Sequence, residues 1–183
     1  MRSHRIVIVA VILLTVYGHG ISAYGQVDQG AEFFGLGFLP GFFLDWDTSA
    51  PGVSGDGSVV VGTAVHRVLN RALPIRWTRE LGLHEIPQFR GVSSIGQAFA
   101  ISRDGTTVVG QARFAGGDGF SALKWSQAEG TVDLGAITGM SPNGSAFDVS
   151  PDGSIVVGRV DLPLPPGELL SLGAFICPRS LLG

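Results

Sequence analysis

Three groups of residues in this sequence could carry chemistry, and none of them is a complete site. Asp45 and Asp47 flank Trp46, and paired carboxylates beside an aromatic ring are typical of sites that bind or cleave sugars. In a strand both carboxylates would lie on one face, whereas in a loop they would be solvated. His66 and His84 could bind a metal, but no cluster of further ligands accompanies them in the sequence.

A third group consists of acidic turns with the pattern Ser-x-Asp-Gly. The turn residues are Ser54, Asp56, Gly57, Ser102, Asp104, Gly105, Ser150, Asp152 and Gly153. Calcium takes six to eight oxygen ligands, and one aspartate per turn falls short of that number. Ser and Asp side chains bond backbone N–H groups in turns, and glycine tolerates a positive φ. These residues are therefore predicted to be structural turn formers.

No motif for a known reaction accompanies these residues. The sequence has no nucleophile elbow, phosphate loop, zinc spacing or dinucleotide fingerprint. It therefore predicts no catalytic residue, no cofactor and no metal, and the protein is not expected to be an enzyme. The formal charge is −3 and no basic run exists, so nucleic acid is not expected as a partner.

Residues 1–25 have the layout of a secretory signal peptide. Arg2 and Arg5 precede an uncharged run over 6–17, and Ala23-Tyr24-Gly25 is a small-x-small cleavage site. The apolar run is shorter than the roughly 20 residues that span a bilayer, so no stable transmembrane segment is expected after cleavage. The sequence predicts a secreted or cell-envelope protein, with a β-repeat domain over 26–183.

Internal repetition is the strongest signal in the chain. Residues 53–62 recur at 101–110 and again at 149–158, so the two offsets are identical. Trp77 maps to Trp125 at the same offset. The predicted organisation is a partial unit over 33–50, followed by repeats over approximately 51–98, 99–146 and 147–183.

Each repeat is predicted to contain four short strands. Asp-Gly between two β-prone runs is a hairpin signal, which places a turn at Asp104-Gly105 and a return strand after it. A third strand ends in Trp125, and a fourth covers 131–134. Four strands in a unit of this length match a blade of a β-propeller, for which repeats of about 40–50 residues are usual.

Two residue types allow two interpretations each. Trp77 and Trp125 recur at the repeat period, which predicts core packing between repeats, although an exposed ring would be a sugar platform. Residues 174–177 resemble the strand that holds Trp125, so that Cys177 stands where Trp would be. Cys177 is the only cysteine, and it is either a small buried residue or the site of an intermolecular disulfide.

The repeat resembles a known family. Its pattern is A-F-x-x-S-x-D-G-x-x-V-V-G, then A-x-x-W, then L-G-x-L-x-G, over roughly 36–177. This pattern is similar to the HAF-type extracellular repeats found in secreted and surface proteins of bacteria. The resemblance implies export and a propeller-like fold, and it implies no reaction. The expected fold is all-β, a partial or open propeller-like array of about three repeats.

Three functions are compatible with these observations. The first is an exported binding or structural protein, which would contact an envelope protein, a polysaccharide or further copies of itself. The second is a carbohydrate-active hydrolase or lyase of the propeller type, which needs convergent acids that the sequence does not assemble. The third is an inactive remnant of a longer repeat protein, because propellers use about 4–8 blades and this chain supplies about three.

Overall fold

The computed structural model describes residues 25–27, 31–40, 46–86, 95–113, 119–135, 143–162 and 171–178. The chain divides into two compact units, residues 1–37 and 38–183. The first unit contains an antiparallel pair of strands, β1 (Gly25–Val27) and β2 (Ala31–Phe33). Apart from Gly25, the predicted signal peptide lies outside the described residues. Within the described ranges, no helix is long and apolar enough to cross a membrane.

The described part of the second unit is built from three antiparallel sheets, which confirms the all-β prediction. Sheet I contains β3 (Trp46–Val53), β4 (Val59–His66), β5 (Arg71–Thr78) and β6 (Gly82–Glu85). Sheet II contains β7 (Gly96–Ile101), β8 (Thr107–Arg113), β9 (Phe120–Ser126) and β10 (Gly130–Asp133). Sheet III contains β11 (Gly144–Val149), β12 (Ile155–Leu162) and β13 (Ser171–Pro178). In each sheet the strands follow chain order.

The hydrogen-bonded units begin a few residues before the repeat boundaries drawn from the sequence. The first strands of the sheets start at Trp46, Gly96 and Gly144, so boundaries at 51, 99 and 147 fall inside strands. Residues 46–50, which the sequence placed in a partial unit, pair with β4 as part of sheet I. A repeat period fixes the length of a unit but not its starting point, and strand pairing decides the latter.

A β-bulge interrupts the first hairpin of every sheet at the same position. The pairing slips between Ser49 and Gly52 in sheet I, between Ala98 and Ala100 in sheet II, and between Ala146 and Asp148 in sheet III. Opposite the bulges stand Gly62, Gly110 and Gly158, where a Cβ would overlap a carbonyl oxygen of the bulged strand. The repeated Val-Val-Gly sequence is thus explained by a close approach of two strands.

The three sheets stack face to face through the first strand of each following sheet. Strand β7 packs across β3, β4 and β5, and β11 packs across β7, β8 and β9. Between sheets I and II the core includes Val61, Ile101 and Leu123. Between sheets II and III it includes Val109 and Val156. The same pair of faces is therefore used at both junctions.

Cys177 occupies the position that the sequence comparison gave it. Trp77 pairs with Val60 and Trp125 pairs with Val108, and in the next sheet Cys177 pairs with the equivalent Val156. Its side chain is fully buried in the core between sheets II and III. Burial raises the pKa of the thiol, and the nearby Lys124 partly offsets that rise. This placement agrees with a buried packing residue and leaves the thiol out of reach of another molecule.

Candidate functional site

The first hairpin of each sheet closes through the same set of hydrogen bonds. The serine Oγ donates to the aspartate Oδ1 at 2.6, 2.5 and 2.6 Å in sheets I, II and III. The same Oγ accepts the N–H of the residue five positions later, at 3.0, 3.0 and 2.9 Å. The turn glycines Gly57, Gly105 and Gly153 have φ of 72°, 75° and 71°. Because these bonds are all local, a short stretch of chain specifies each turn.

The turn hydrogen bonds keep the aspartates ionised. The pKa values of Asp56 and Asp152 fall to about 2, chiefly because Ser54 and Ser150 donate to their carboxylates. The pKa of Asp104 is lowered for the same reason, with Ser102 as the main donor. At neutral pH these carboxylates therefore act as hydrogen-bond acceptors and hold no proton for acid catalysis.

Two of the turn serines form a matched pair for mutation. Ser102→Ala removes the acceptor of the Thr107 N–H at a fully buried position, and we expect a loss of about 1–3 kcal/mol of unfolding free energy. Ser150→Ala removes the same contacts where water has access, and we expect less than about 1 kcal/mol. Urea denaturation of both variants measures the difference, and equal losses would contradict this explanation.

Neighbouring turns are joined by backbone hydrogen bonds that run from sheet to sheet. The Gly55 N–H donates to the Arg103 carbonyl at 2.8 Å, and the Arg103 N–H donates to the Pro151 carbonyl at 3.0 Å. These three residues occupy the same position in successive repeats. The two bonds form a ladder, and in each of them the N–H of one sheet donates to a carbonyl of the following sheet. Pro151 has no N–H, so it cannot donate to a further turn.

A cleft of about 590 Å³ opens at the turn end of the sheets. Its lining combines one indole ring, two cations, three carboxylates and several hydroxyl or amide groups. The main lining side chains are Arg76, Asp104, Lys124, Trp125, Glu129 and Asp152. All three sheets or their turns contribute to it, so the cleft exists only because the repeats stack in this order.

Lys124 is the only lysine of the chain and it is buried at the base of this cleft. Its Nζ donates to Glu129 Oε2 at 2.9 Å, and the carboxylate remains partly exposed. Glu129 is also held by Ser126, whose Oγ accepts the Glu129 N–H at 3.1 Å. Lys124 and Glu129 therefore form a fixed ion pair in the cleft, and the Glu129 carboxylate faces solvent.

Arg76 provides a second cation in the lining of the cleft. Burial lowers the pKa of this half-buried guanidinium. Within the described part of the chain it makes no hydrogen bond or ion pair, although it lines the cleft. A guanidinium has five N–H donors, and since no described residue accepts from them, they can donate to a ligand.

The two repeated tryptophans hold equivalent positions but differ in their surroundings. Both lie in the third strand of a sheet and both are half-buried, which lies between full core packing and an open sugar platform. Trp125 packs against the core between sheets I and II and also lines the cleft, whereas Trp77 does not line it.

The two histidines are not brought together, although the His66 ring lies edge to face with the Trp46 ring at 5.1 Å between centroids. His66 accepts the Leu69 N–H at 3.1 Å, while His84 lies 3.2 Å from the Gly82 carbonyl in a different strand. Asp47 forms an exposed ion pair with Arg67 at 2.5 Å, and Asp45 lies outside the described residues. Among the described residues, no group of three or more His, Cys, Asp or Glu side chains could hold a metal ion.

Sequence reasoning missed the two cations of the cleft. Each stands one position before a repeated tryptophan, Arg76 before Trp77 and Lys124 before Trp125. A cation at the same register in two repeats was a usable signal, because Lys and Arg are rarely buried in a strand unless they are paired with another group. Neither a protein-family model nor a curated protein matches this sequence.

Proposed function

We propose that the protein is an exported, propeller-like repeat protein of HAF type that binds a neutral saccharide in its turn-end cleft. The observation that carries the proposal is the make-up of this cleft, in which an indole ring lies among fixed hydrogen-bonding groups. Export is supported by the signal-peptide layout of residues 1–25, and the propeller-like array by the identical stacking of three sheets.

The chemistry of the lining favours a sugar over other small molecules. The Trp125 ring offers a flat apolar surface, while Arg76, Thr106 and Ser154 offer polar groups around it. Pockets of several hundred Å³ with a few well-placed polar groups are typical ligand sites. Two cations face three carboxylates in the cleft, which favours a neutral polyhydroxyl ligand over a polyanion.

Binding is favoured over hydrolysis by the state of the carboxylates. A glycosidase needs one protonated acid, yet the pKa of Asp152 is about 2 and that of Asp104 is also lowered. Glu129 is paired with Lys124. Neither aspartate holds a proton at neutral pH, so the role we propose is recognition without cleavage.

Calorimetric and tryptophan-fluorescence titrations with neutral oligosaccharides test this function. We expect gluco-, xylo- and N-acetylglucosamine oligomers to include a binder, with a uronic acid oligomer as the polyanionic control. Trp125→Ala and Arg76→Gln should weaken binding at least tenfold, while the matched control Trp77→Ala should bind normally. Equal loss in both tryptophan variants, or release of reducing ends, would contradict the proposal.

A further inference from the structure

The face of sheet III that points away from sheet II is open and apolar. Ile155 is 42% exposed, Val157 is 37% exposed and Ile176 is 70% exposed. The residues equivalent to Ile155 and Val157 in the other two sheets are covered, since Val59, Val61, Thr107 and Val109 are all buried beneath the next sheet. Sheet III therefore presents the same surface that sheets I and II use for stacking, and no sheet of the described residues covers it.

The opposite end of the array carries the matching half of this junction. Val53 is 59% exposed, whereas its equivalents Ile101 and Val149 are each 8% exposed inside the two internal junctions. Ala50 is exposed, whereas Ala98 and Ala146 are fully buried there. These residues belong to the first strand of a sheet, which is the strand that covers the preceding sheet at both internal junctions.

We infer that two copies of the protein associate head to tail, with β3 of each copy covering the open face of sheet III of the other. A second copy is the partner that fits, because the internal junctions already join these two kinds of surface. The exposed side of β3 and the open face of sheet III are the two halves of that repeated interface. Two copies supply six sheets, which lies within the four to eight blades that usually close a propeller. A head-to-tail contact that closes gives a ring of fixed size. The inference does not depend on the ligand of the cleft.

Pro151 makes the junction between copies different from the internal junctions. Inside the chain, the ladder residue of each sheet donates its N–H to the next turn, as Gly55 and Arg103 do. At the junction between copies the donor would be Pro151, which has none. The contact between copies therefore lacks this backbone hydrogen bond, and adding the missing donor should strengthen it.

Light scattering coupled to size-exclusion chromatography tests the inference on protein purified after expression of the full chain. The expected mass is that of two copies, falling to one copy on dilution. Val53→Asp and Ile176→Asp should each give a monomer, because each removes one half of every junction. Both residues are exposed in the single copy, so the melting temperature of each variant should match that of the wild-type protein diluted to the monomer. Leu69→Asp, at an exposed turn outside both surfaces, is the matched control and should remain paired.

Mixing the two monomeric variants separates a head-to-tail junction from a symmetric one. A copy with Val53→Asp keeps its sheet III face, and a copy with Ile176→Asp keeps its β3, so the mixture has one intact junction. We expect a two-copy species in the mixture at concentrations at which neither variant pairs alone. The closed pair contains two such junctions, so Pro151→Ala should lower its dissociation constant about tenfold to a hundredfold, the gain from two hydrogen bonds.

Several results would overturn the inference. A protein that stays monomeric at every concentration would exclude the junction, and a mixture that stays monomeric would exclude its head-to-tail geometry. Mass that grows without limit would exclude closure by two copies. Loss of pairing in the Leu69→Asp control would show that the contact lies elsewhere. If the wild-type protein is monomeric and still binds a saccharide, the pairing is wrong but the proposed saccharide binding is not.

Discussion

Replacing Gly110 with alanine is expected to lower the free energy of unfolding by about 3 kcal/mol, the upper part of the usual cost of overpacking. The new Cβ would overlap the Gln97 carbonyl oxygen across the bulge, and it would lie 3.1 Å from the Cα of Ala98. Both neighbours are backbone atoms of a paired strand, so they cannot turn aside as a flexible side chain could.

Urea denaturation of Gly110→Ala beside Gly35→Ala measures this effect. Gly35 has no atom within 4 Å of the position of a Cβ and no positive φ, so its substitution should change stability by less than about 0.5 kcal/mol. A loss below about 1 kcal/mol in Gly110→Ala would mean that the bulge relaxes. The close approach would then not explain the glycine that recurs in every repeat.

Gly153→Val is expected to be about as damaging, with a loss of about 3–4 kcal/mol, because two costs act on one residue. A β-branched side chain at a φ of 71° is strained by about 1–3 kcal/mol. In addition, the Cβ would lie 2.5 Å from Thr107 Oγ1 of sheet II, and overpacking adds about 1–3 kcal/mol. The substitution should therefore loosen the contact between sheets III and II as well as the turn itself.

Gly57→Val is the matched control for the second cost. Gly57 has a φ of 72° in the equivalent turn of sheet I, and nothing lies within 4 Å of the position of its Cβ. It should lose only the strain energy, so the two variants should differ by the overpacking cost of about 1–3 kcal/mol in urea denaturation. Gly105 lies between them, since its Cβ would be 3.3 Å from Val59 Cγ2. Identical losses of unfolding free energy in the two variants would show that the turns do not contribute to the stacking of the sheets.

The turns show why part of this fold could be read from the chain. Ser102, Asp104 and Gly105 bond within a few residues of one another, so residue type and spacing specify the turn without outside help. The likeness of residues 174–177 to the strand that holds Trp125 likewise gave Cys177 the place of the tryptophan, four residues beyond the constant offset, and the register puts Cys177 opposite Val156. Local chemistry and periodicity are properties of the sequence itself.

The sequence did not predict the bulge, and it set the repeat boundaries at 51, 99 and 147, which fall inside the first strands of the sheets. Glycine at position 110 has an ordinary φ, and its role appears only when the partner strand approaches across the hairpin. The start of each sheet depends on which strands exchange hydrogen bonds, and a periodic sequence is compatible with any starting point. Strand pairing had to be known before either feature had an explanation.

The sequence by itself determined the strands, the hairpin turns and the repeat that connects them, because each depends on residues near one another in the chain. Only the tertiary structure decided which faces are covered. Val53 and Ile101 are equivalent in the sequence, yet one is 59% exposed and the other 8%. Burial depends on a neighbouring sheet that starts a whole repeat away, and the same stacking brings Arg76 and Trp125 to one cleft. The two open faces and the cleft are therefore features of assembly, which no single repeat encodes.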